Sequence, residues 1–121
     1  METESAVLAL EALAQDSRLA IFRLLVEAGP QGLAAGGIAE RMELPAATLS
    51  FHLSQLKNAG LLACRRDGRS LIYSADFDSM TELVGFLTDN CCGGKECGPV
   101  ARAAQRKGKT NATAKRASRR R

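Results

Sequence analysis

The chain has 121 residues, of which 45% are hydrophobic, and it carries a formal net charge of +4. This length suits one domain of four or five helices, and no apolar run is long enough to span a membrane. The acidic start lacks the basic and then apolar layout of a signal peptide. We therefore expect a cytoplasmic protein without a membrane partner, whose four cysteines are thiols, metal ligands or redox groups.

Charge is distributed unevenly along the chain. Residues 1–100 hold 8 of the 17 basic residues and all 13 acidic ones, whereas residues 101–121 hold nine basic residues and no acid. Since the last segment has no apolar side chain larger than alanine, we expect a domain over residues 1–100 and a disordered basic tail over residues 101–121. The tail either adds salt-sensitive affinity for DNA phosphates or only keeps the protein in solution.

Apolar spacing predicts two helices at the start of the chain. In residues 3–14, one face carries Ala6, Leu10 and Leu13. Residues 17–28 carry two apolar rows, which indicates a helix at the centre of the core. Asp16 or Ser17 is a suitable N-cap for this second helix.

Two further helices with a short connection form a helix-turn-helix pattern. Residues 35–42 make the first, and the segment 44–62 contains the second, with Pro45 in its first turn and Gly60 at its end. Its inner face consists of leucines, and its outer face is small, polar or aromatic, which suits a DNA major groove. The predicted base-contacting residues are Ala47, Thr48, Ser50, Phe51, His52 and Gln55. The alternative is an ordinary amphipathic surface helix.

The apolar period changes to two after Gly60, which predicts a β-hairpin around an Asp67-Gly68 turn. Arginines surround the tip of this hairpin. Following a DNA-reading helix, such a hairpin is a wing, and its arginines suit phosphate or minor-groove contacts. The predicted contacts are Arg65, Arg66 and Arg69. The alternative is a solvated turn that is basic without binding DNA.

Asp76 is a predicted cap for a last helix over residues 77–89, with an apolar stripe that includes Phe77, Val84 and Leu87. The first and last helices are both more apolar than a lone domain of this size requires. We therefore expect them to form a homodimer interface, because DNA readers of this shape use a two-fold axis to contact two half-sites. The alternative is that both helices only close the core of the monomer.

Three cysteines lie within seven residues beyond this helix, at Cys91, Cys92 and Cys97, beside glycines that let the backbone fold back. Three thiolates without a histidine or carboxylate in ligand spacing favour a soft, thiophilic ion. Structural zinc usually takes four ligands, so trivalent arsenic or antimony fits such a three-sulfur site best. Zinc, cadmium, lead, a thiol redox switch and an inert cluster remain alternatives. Cys64 is interpreted as a small buried residue.

Residues 5–97 resemble the ArsR/SmtB family of metal-sensing bacterial repressors. The resemblance rests on IAERM at residues 38–42, TLSFHL at 48–53, the hairpin at 65–73 and the apolar last helix. It implies a mainly α, winged helix-turn-helix homodimer with about five helices and a β-hairpin wing, which represses an operator until an inducer binds. The Cys-x-Cys site that some arsenic sensors of this family carry is absent at residues 33–37. Other arsenic-responsive members have adjacent cysteines and a third beyond the last helix, as here.

The expected function is therefore repression of an operator that is released when As(III) or Sb(III) binds the three thiolates. No organic cofactor and no enzymatic activity are expected, because the sequence has no nucleophile–base pairing and no phosphate-binding glycine loop. The competing functions are a thiol redox-sensing repressor, a Cd, Pb or Zn sensor of the same fold, and a DNA-architectural protein driven by the tail.

Overall fold

The structure, a computed structural model, describes residues 1–94, so Cys97 and the basic tail lie outside the described residues. The elements in chain order are α1 (Thr3–Leu13), α2 (Asp16–Ala28), β1 (Leu33–Ala34), α3 (Ala35–Met42), α4 (Ala46–Asn58), β2 (Leu62–Asp67), β3 (Ser70–Ala75), α5 (Phe77–Leu87) and a 3₁₀ turn (Cys91–Gly94). Five helices with a three-stranded antiparallel sheet, in the order β1-β3-β2, confirm the predicted winged helix-turn-helix. Two compact units divide the chain, one over Glu2–Met80 and one that begins at Thr81.

The core of the first unit is built around α2. The side chains of Ile21 and Leu25 are completely buried, as are those of Ile38 in α3 and Leu56 in α4. The N-cap of α2 is one residue earlier than predicted, because the side chain of Gln15 accepts a hydrogen bond of 2.9 Å from the backbone N–H of Arg18. Asp16 and Ser17 instead belong to the first turn of the helix.

The buried face of α1 differs from the predicted one. Its buried residues are Ala6, Ala9 and Ala12, whereas Val7, Leu8 and Leu10 are exposed. Alanines let the backbone of α1 approach α2 and α4 closely, which leucines on that face would prevent. The larger apolar side chains therefore form an exposed row on the outside of this unit.

The turn between α3 and α4 is short because Glu43 adopts a left-handed conformation, with φ of 56°. Helix α4 starts after Pro45, which is its N-cap and not part of its first turn. At the other end, the backbone N–H groups of Gly60 and Leu61 donate to the carbonyls of Lys57 and Leu56, at 2.9 and 3.0 Å. Gly60 has φ of +82°, so the predicted glycine stop of this helix is confirmed.

The wing is a regular hairpin in which Leu62 pairs with Ala75 and Asp67 pairs with Ser70. Its two-residue loop is Gly68-Arg69, so the predicted turn is shifted by one residue. The sequence did not predict β1, a two-residue strand that pairs with Ile72 and Tyr73 of β3.

Helix α5 begins in the first unit and continues into the second. The carboxylate of Asp76 accepts a hydrogen bond of 3.0 Å from the backbone N–H of Ser79, which confirms the predicted cap. Farther along the helix, Leu83 is buried, whereas Val84 and Leu87 are exposed. None of the helices within residues 1–94 is both long and apolar enough to cross a membrane.

Candidate nucleic-acid interface and thiol site

The outer face of α4 presents the side chains that the sequence predicts to contact DNA bases. Leucines at positions 49, 53 and 56 are buried and fix the inner face of the helix. The opposite face is exposed and carries no acidic residue; its predicted members are Ala47, Thr48, Ser50, Phe51 and Gln55. Ser54 and Asn58 are also exposed on this face of the helix, and Lys57 is exposed at its edge. Lys57 was not among the predicted contacts. Its position in the last helical turn, next to polar residues, is the sequence signal that indicates it.

His52 is a correction to the predicted interface, because its side chain is only 8% exposed. Its Nδ1 atom lies 3.3 Å from Nη1 of Arg18 in α2. Burial lowers the pKa of His52, and the positive charge of Arg18 lowers it further. A neutral, buried imidazole does not reach a base edge. It belongs instead to the packing that holds α4 on α2.

Arg18 is a residue that the sequence analysis missed. Its Nε atom donates to the carbonyl of Ala12 at 2.7 Å, and Ala12 lies in the last turn of α1. A cation at this end of a helix also interacts favourably with the helix dipole. Through its two contacts, Arg18 joins the end of α1 to the middle of α4. The sequence did contain a signal for this contact. His52 is spaced with Leu49, Leu53 and Leu56 so that it lies on the buried face of α4.

The three arginines predicted for the wing are exposed, but they are not equivalent. The Nη2 atom of Arg65 donates to the backbone carbonyl of Gln31 at 3.1 Å, so this side chain connects β2 to the segment that precedes β1. Arg66 is next to the end of β2, and Arg69 is in the loop itself. Both side chains are exposed at the end of the hairpin, and they remain the predicted contacts to a phosphate backbone.

Cys91 and Cys92 lie in the second unit, on a tight turn that follows α5. The backbone N–H of Cys91 donates to the carbonyl of Thr88 at 3.0 Å, which keeps the turn close to the helix end. Asn90, Cys92, Gly93 and Gly94 all have positive φ angles, so the backbone folds back as the glycines predict. The Sγ atoms of the two cysteines are 3.7 Å apart, and that of Cys91 donates to that of Cys92.

These two thiols make up part of the predicted three-sulfur set. Within residues 1–94 no group of three metal-ligating side chains is present, and the third predicted ligand, Cys97, is beyond that range. Two thiolates held by one tetrahedral zinc ion, with bonds of about 2.3 Å, would be about 3.8 Å apart. The observed sulfur separation therefore fits two ligands of a single thiophilic ion.

Cys64 is half-buried rather than fully buried, and it lies opposite Tyr73 in the β2–β3 ladder. Burial raises the pKa of Tyr73, and its interactions with the Cys64 thiol, which include a side-chain hydrogen bond, raise it further. The two side chains thus form a cross-strand pair within the wing. This contact accounts for Cys64 without a role in ligand binding.

Comparison with known proteins identifies the family of this chain. Residues 13–65 match a family model described as a helix-turn-helix domain. The nodulation protein NolR of Rhizobium meliloti is 35% identical over 80 residues, which are 66% of this chain and 63% of NolR, so less than two thirds of that relative is spanned. The transcriptional activator HlyU of Vibrio cholerae is 34% identical over 89 residues, which cover 69% of this chain and 80% of HlyU.

Solved structures give the same result. A structure of HlyU from Vibrio cholerae superimposes with a TM-score of 0.60 at 29% identity, covering 76% of this chain and 99% of HlyU. The homodimeric winged helix-turn-helix DNA-binding domain of a possible ArsR-family regulator from Mycobacterium bovis has a TM-score of 0.57 at 26% identity, covering 79% and 89%. This chain therefore belongs to the winged helix-turn-helix family of DNA-binding transcriptional regulators that includes HlyU and ArsR-like proteins, and it is a regulator rather than an enzyme.

Proposed function

We propose that this regulator is a homodimeric repressor that releases its operator when As(III) or Sb(III) binds the thiolates of Cys91, Cys92 and Cys97. The observation that carries the proposal is the 3.7 Å separation of the first two sulfur atoms on a turn that folds back after α5. Soft thiolates select thiophilic ions over hard ones. No histidine lies on α5 or on the turn, so no imidazole from these segments competes with the thiolates as a ligand.

The exposed apolar side chains support a dimer. Val7, Leu8 and Leu10 form such a row on α1, and Val84 and Leu87 are exposed on α5. Large apolar groups that remain in contact with water are typical of surfaces that a second chain covers. In the proposed dimer, two copies of α4 enter successive major grooves, and their spacing depends on the helices that form the interface.

Backbone hydrogen bonds provide a continuous route from the thiol turn to α4. The thiol turn follows the C-terminal end of α5. At the N-terminal end of this helix, the backbone N–H of the capping residue Asp76 donates to the carbonyl of Leu61 at 2.8 Å. The backbone N–H of Leu61 in turn donates to the carbonyl of Leu56 in the last turn of α4. A hundredfold loss of operator affinity on inducer binding requires about 2.7 kcal/mol of coupling, and operator DNA must weaken inducer binding by the same factor.

Fluorescence anisotropy with a labelled operator tests the sensing proposal. We expect As(III) or Sb(III) to release the full-length protein from DNA. The Cys91→Ser and Cys92→Ser variants should bind the operator normally but fail to release it, whereas Cys64→Ser should behave like the wild type. If the Cys91→Ser and Cys92→Ser proteins still leave the operator on addition of arsenite, the proposed site is wrong.

The same assay separates the alternatives. Release by Cd(II), Pb(II) or Zn(II) without a response to arsenite would indicate a different metal sensor, and release by peroxide that a reductant reverses would indicate a redox repressor. Removing residues 102–121 should leave operator specificity and the inducer response intact, whereas a tail-driven architectural protein would lose most of its binding. Since HlyU is a transcriptional activator, a reporter gene measures the direction of regulation.

A further inference from the structure

The exposed face of α4 has a composition that limits which bases it can recognise. Lys57, in the last turn, is the only lysine or arginine on this helix, and the helix has no acidic residue. Arginine and lysine are the usual readers of guanine, and carboxylates accept from cytosine. The centre of this face therefore lacks the side chains that read a G·C pair most directly.

Phe51 lies in the middle of that face and is 56% exposed. The residues one helical turn away on either side are all exposed, and all are smaller than phenylalanine: Ala47, Thr48, Ser54 and Gln55. The Phe51 ring is therefore the most prominent apolar group that α4 presents outward. When this face of α4 enters a DNA major groove, the Phe51 ring reaches the base edges before the smaller side chains around it.

The orientation of the Phe51 ring is constrained from the protein side. Its centroid is 5.7 Å from that of the His52 imidazole, and the two ring planes are inclined by 58°. His52 is itself buried and held by Arg18. Tilted aromatic pairs at this separation attract each other, so the contact with His52 restricts the orientation of the Phe51 ring.

We propose that Phe51 is a specificity-determining residue that contacts the C5-methyl group of a thymine in each operator half-site. Apolar side chains recognise that methyl group in the major groove, and glutamine pairs with the N6 and N7 atoms of adenine. Gln55 is four residues further along α4, about 6 Å on the helix axis, which is less than two base-pair steps. The half-site thus contains a thymine with an adenine one or two positions away. This inference rests on the proposed operator-binding function.

The test begins with the operator preference of the full-length chain. Duplexes with a randomised segment, long enough for two half-sites about 10 base pairs apart, are selected for binding in the absence of metal. We expect the enriched sequences to have T·A or A·T pairs at the centre of each half-site. Enrichment of half-sites centred on G·C pairs would overturn the proposal.

The methyl contact is then tested by replacing the thymine with deoxyuridine, which removes only the C5-methyl group. We expect wild-type affinity to fall about fourfold for each substituted half-site, as for the loss of one buried methyl group. Phe51→Ala should bind the thymine duplex more weakly and should no longer distinguish it from the uracil duplex. Equal sensitivity of the wild type and Phe51→Ala to this substitution would contradict the proposal.

Gln55→Ala is the matched control. It should keep the full response to deoxyuridine but lose discrimination against 7-deaza-adenine, which lacks the N7 acceptor. Circular dichroism confirms that each variant is folded, which the exposure of both side chains leads us to expect. A methyl-dependent operator that arsenite fails to release would support the role of Phe51 and overturn the sensing proposal, whereas arsenite-sensitive binding to G·C-centred sites would do the reverse.

Discussion

The Nδ1 atom of His52 and the Nη1 atom of Arg18 are 3.3 Å apart, and this contact determines the tautomer of the imidazole. A guanidinium group can only donate hydrogen bonds, so Nδ1 must be the acceptor. The neutral ring then carries its proton on Nε2. Burial and the neighbouring positive charge both favour this neutral form, which is why the pKa of His52 lies below its usual value.

Folding stability should therefore decrease in mildly acidic solution. Because the pKa of His52 is lower in the folded than in the unfolded chain, its contribution is fully present above the unfolded value of about 6.5. It is lost as the pH falls through the lower, folded value. Urea unfolding followed by circular dichroism should show a steeper loss of stability below about pH 6.5 in the wild type than in His52→Gln. Parallel curves for the two proteins would contradict this linkage.

Arg18→Ala should destabilise the protein by about 2 kcal/mol, because it removes charge-assisted hydrogen bonds to Ala12 and His52. Arg18→Lys should recover part of the loss, since lysine keeps the charge but not the planar group that reaches both acceptors. Arg23→Ala is the control, as Arg23 is an exposed residue of the same helix. Its effect should stay within about 0.5 kcal/mol. Equal losses for Arg18→Ala and Arg23→Ala would rule out the proposed connection.

Gly32→Ala should be strongly destabilising, by more than about 2 kcal/mol. Gly32 has φ of +70°, and an added Cβ would overlap the carbonyl group of Tyr73 in β3. Gly36→Ala provides the opposite control, because Gly36 lies in α3 and an added Cβ there would meet no atom within 4 Å. There the substitution should stabilise by about 0.5–1 kcal/mol. Thermal unfolding at a fixed protein concentration measures both effects.

Arg66→Ala and Arg69→Ala should each weaken DNA binding uniformly across sequences. Each lost phosphate contact should reduce the slope of log affinity against log salt concentration by about 1. Anisotropy titrations over a range of salt concentrations measure this slope. Arg23→Ala on α2 again serves as the control and should leave the slope unchanged. An unaltered slope for both wing variants would show that the hairpin tip does not contact phosphates.

The sequence predicted the helices and the hairpin because their signals are local. The glycine stop at Gly60, the Asp76 cap and the basic hairpin tip each depend on a few neighbouring residues. The two-residue strand β1 has no such signal, because it exists only through its pairing with Ile72 and Tyr73. A pair of residues is too short to show an alternating pattern.

The sequence misassigned side chains on α1 and α4 because tertiary packing decides which side of each helix is buried. On α1 the leucines suggested the core side, but close contact with α2 and α4 selects the alanine side and leaves Leu8 and Leu10 outside. On α4 the polarity of His52 suggested an outward position, although its spacing relative to Leu49, Leu53 and Leu56 placed it inward. A buried polar residue needs a partner, and that partner, Arg18, is 34 positions away in the sequence.

Leu61 is fixed by two backbone hydrogen bonds, one from its N–H to the end of α4 and one to its carbonyl from Asp76. Both bonds use main-chain groups, so an apolar substitution that still fits the buried site of Leu61 leaves them in place. Only proline, which has no N–H, removes one of them. Genetic screens for variants locked onto their operator should consequently find few changes at Leu61 and many in the thiol turn. In the proposed sensor, the connection between the thiol turn and α4 therefore depends on main-chain bonds and not on a polar side chain at this position.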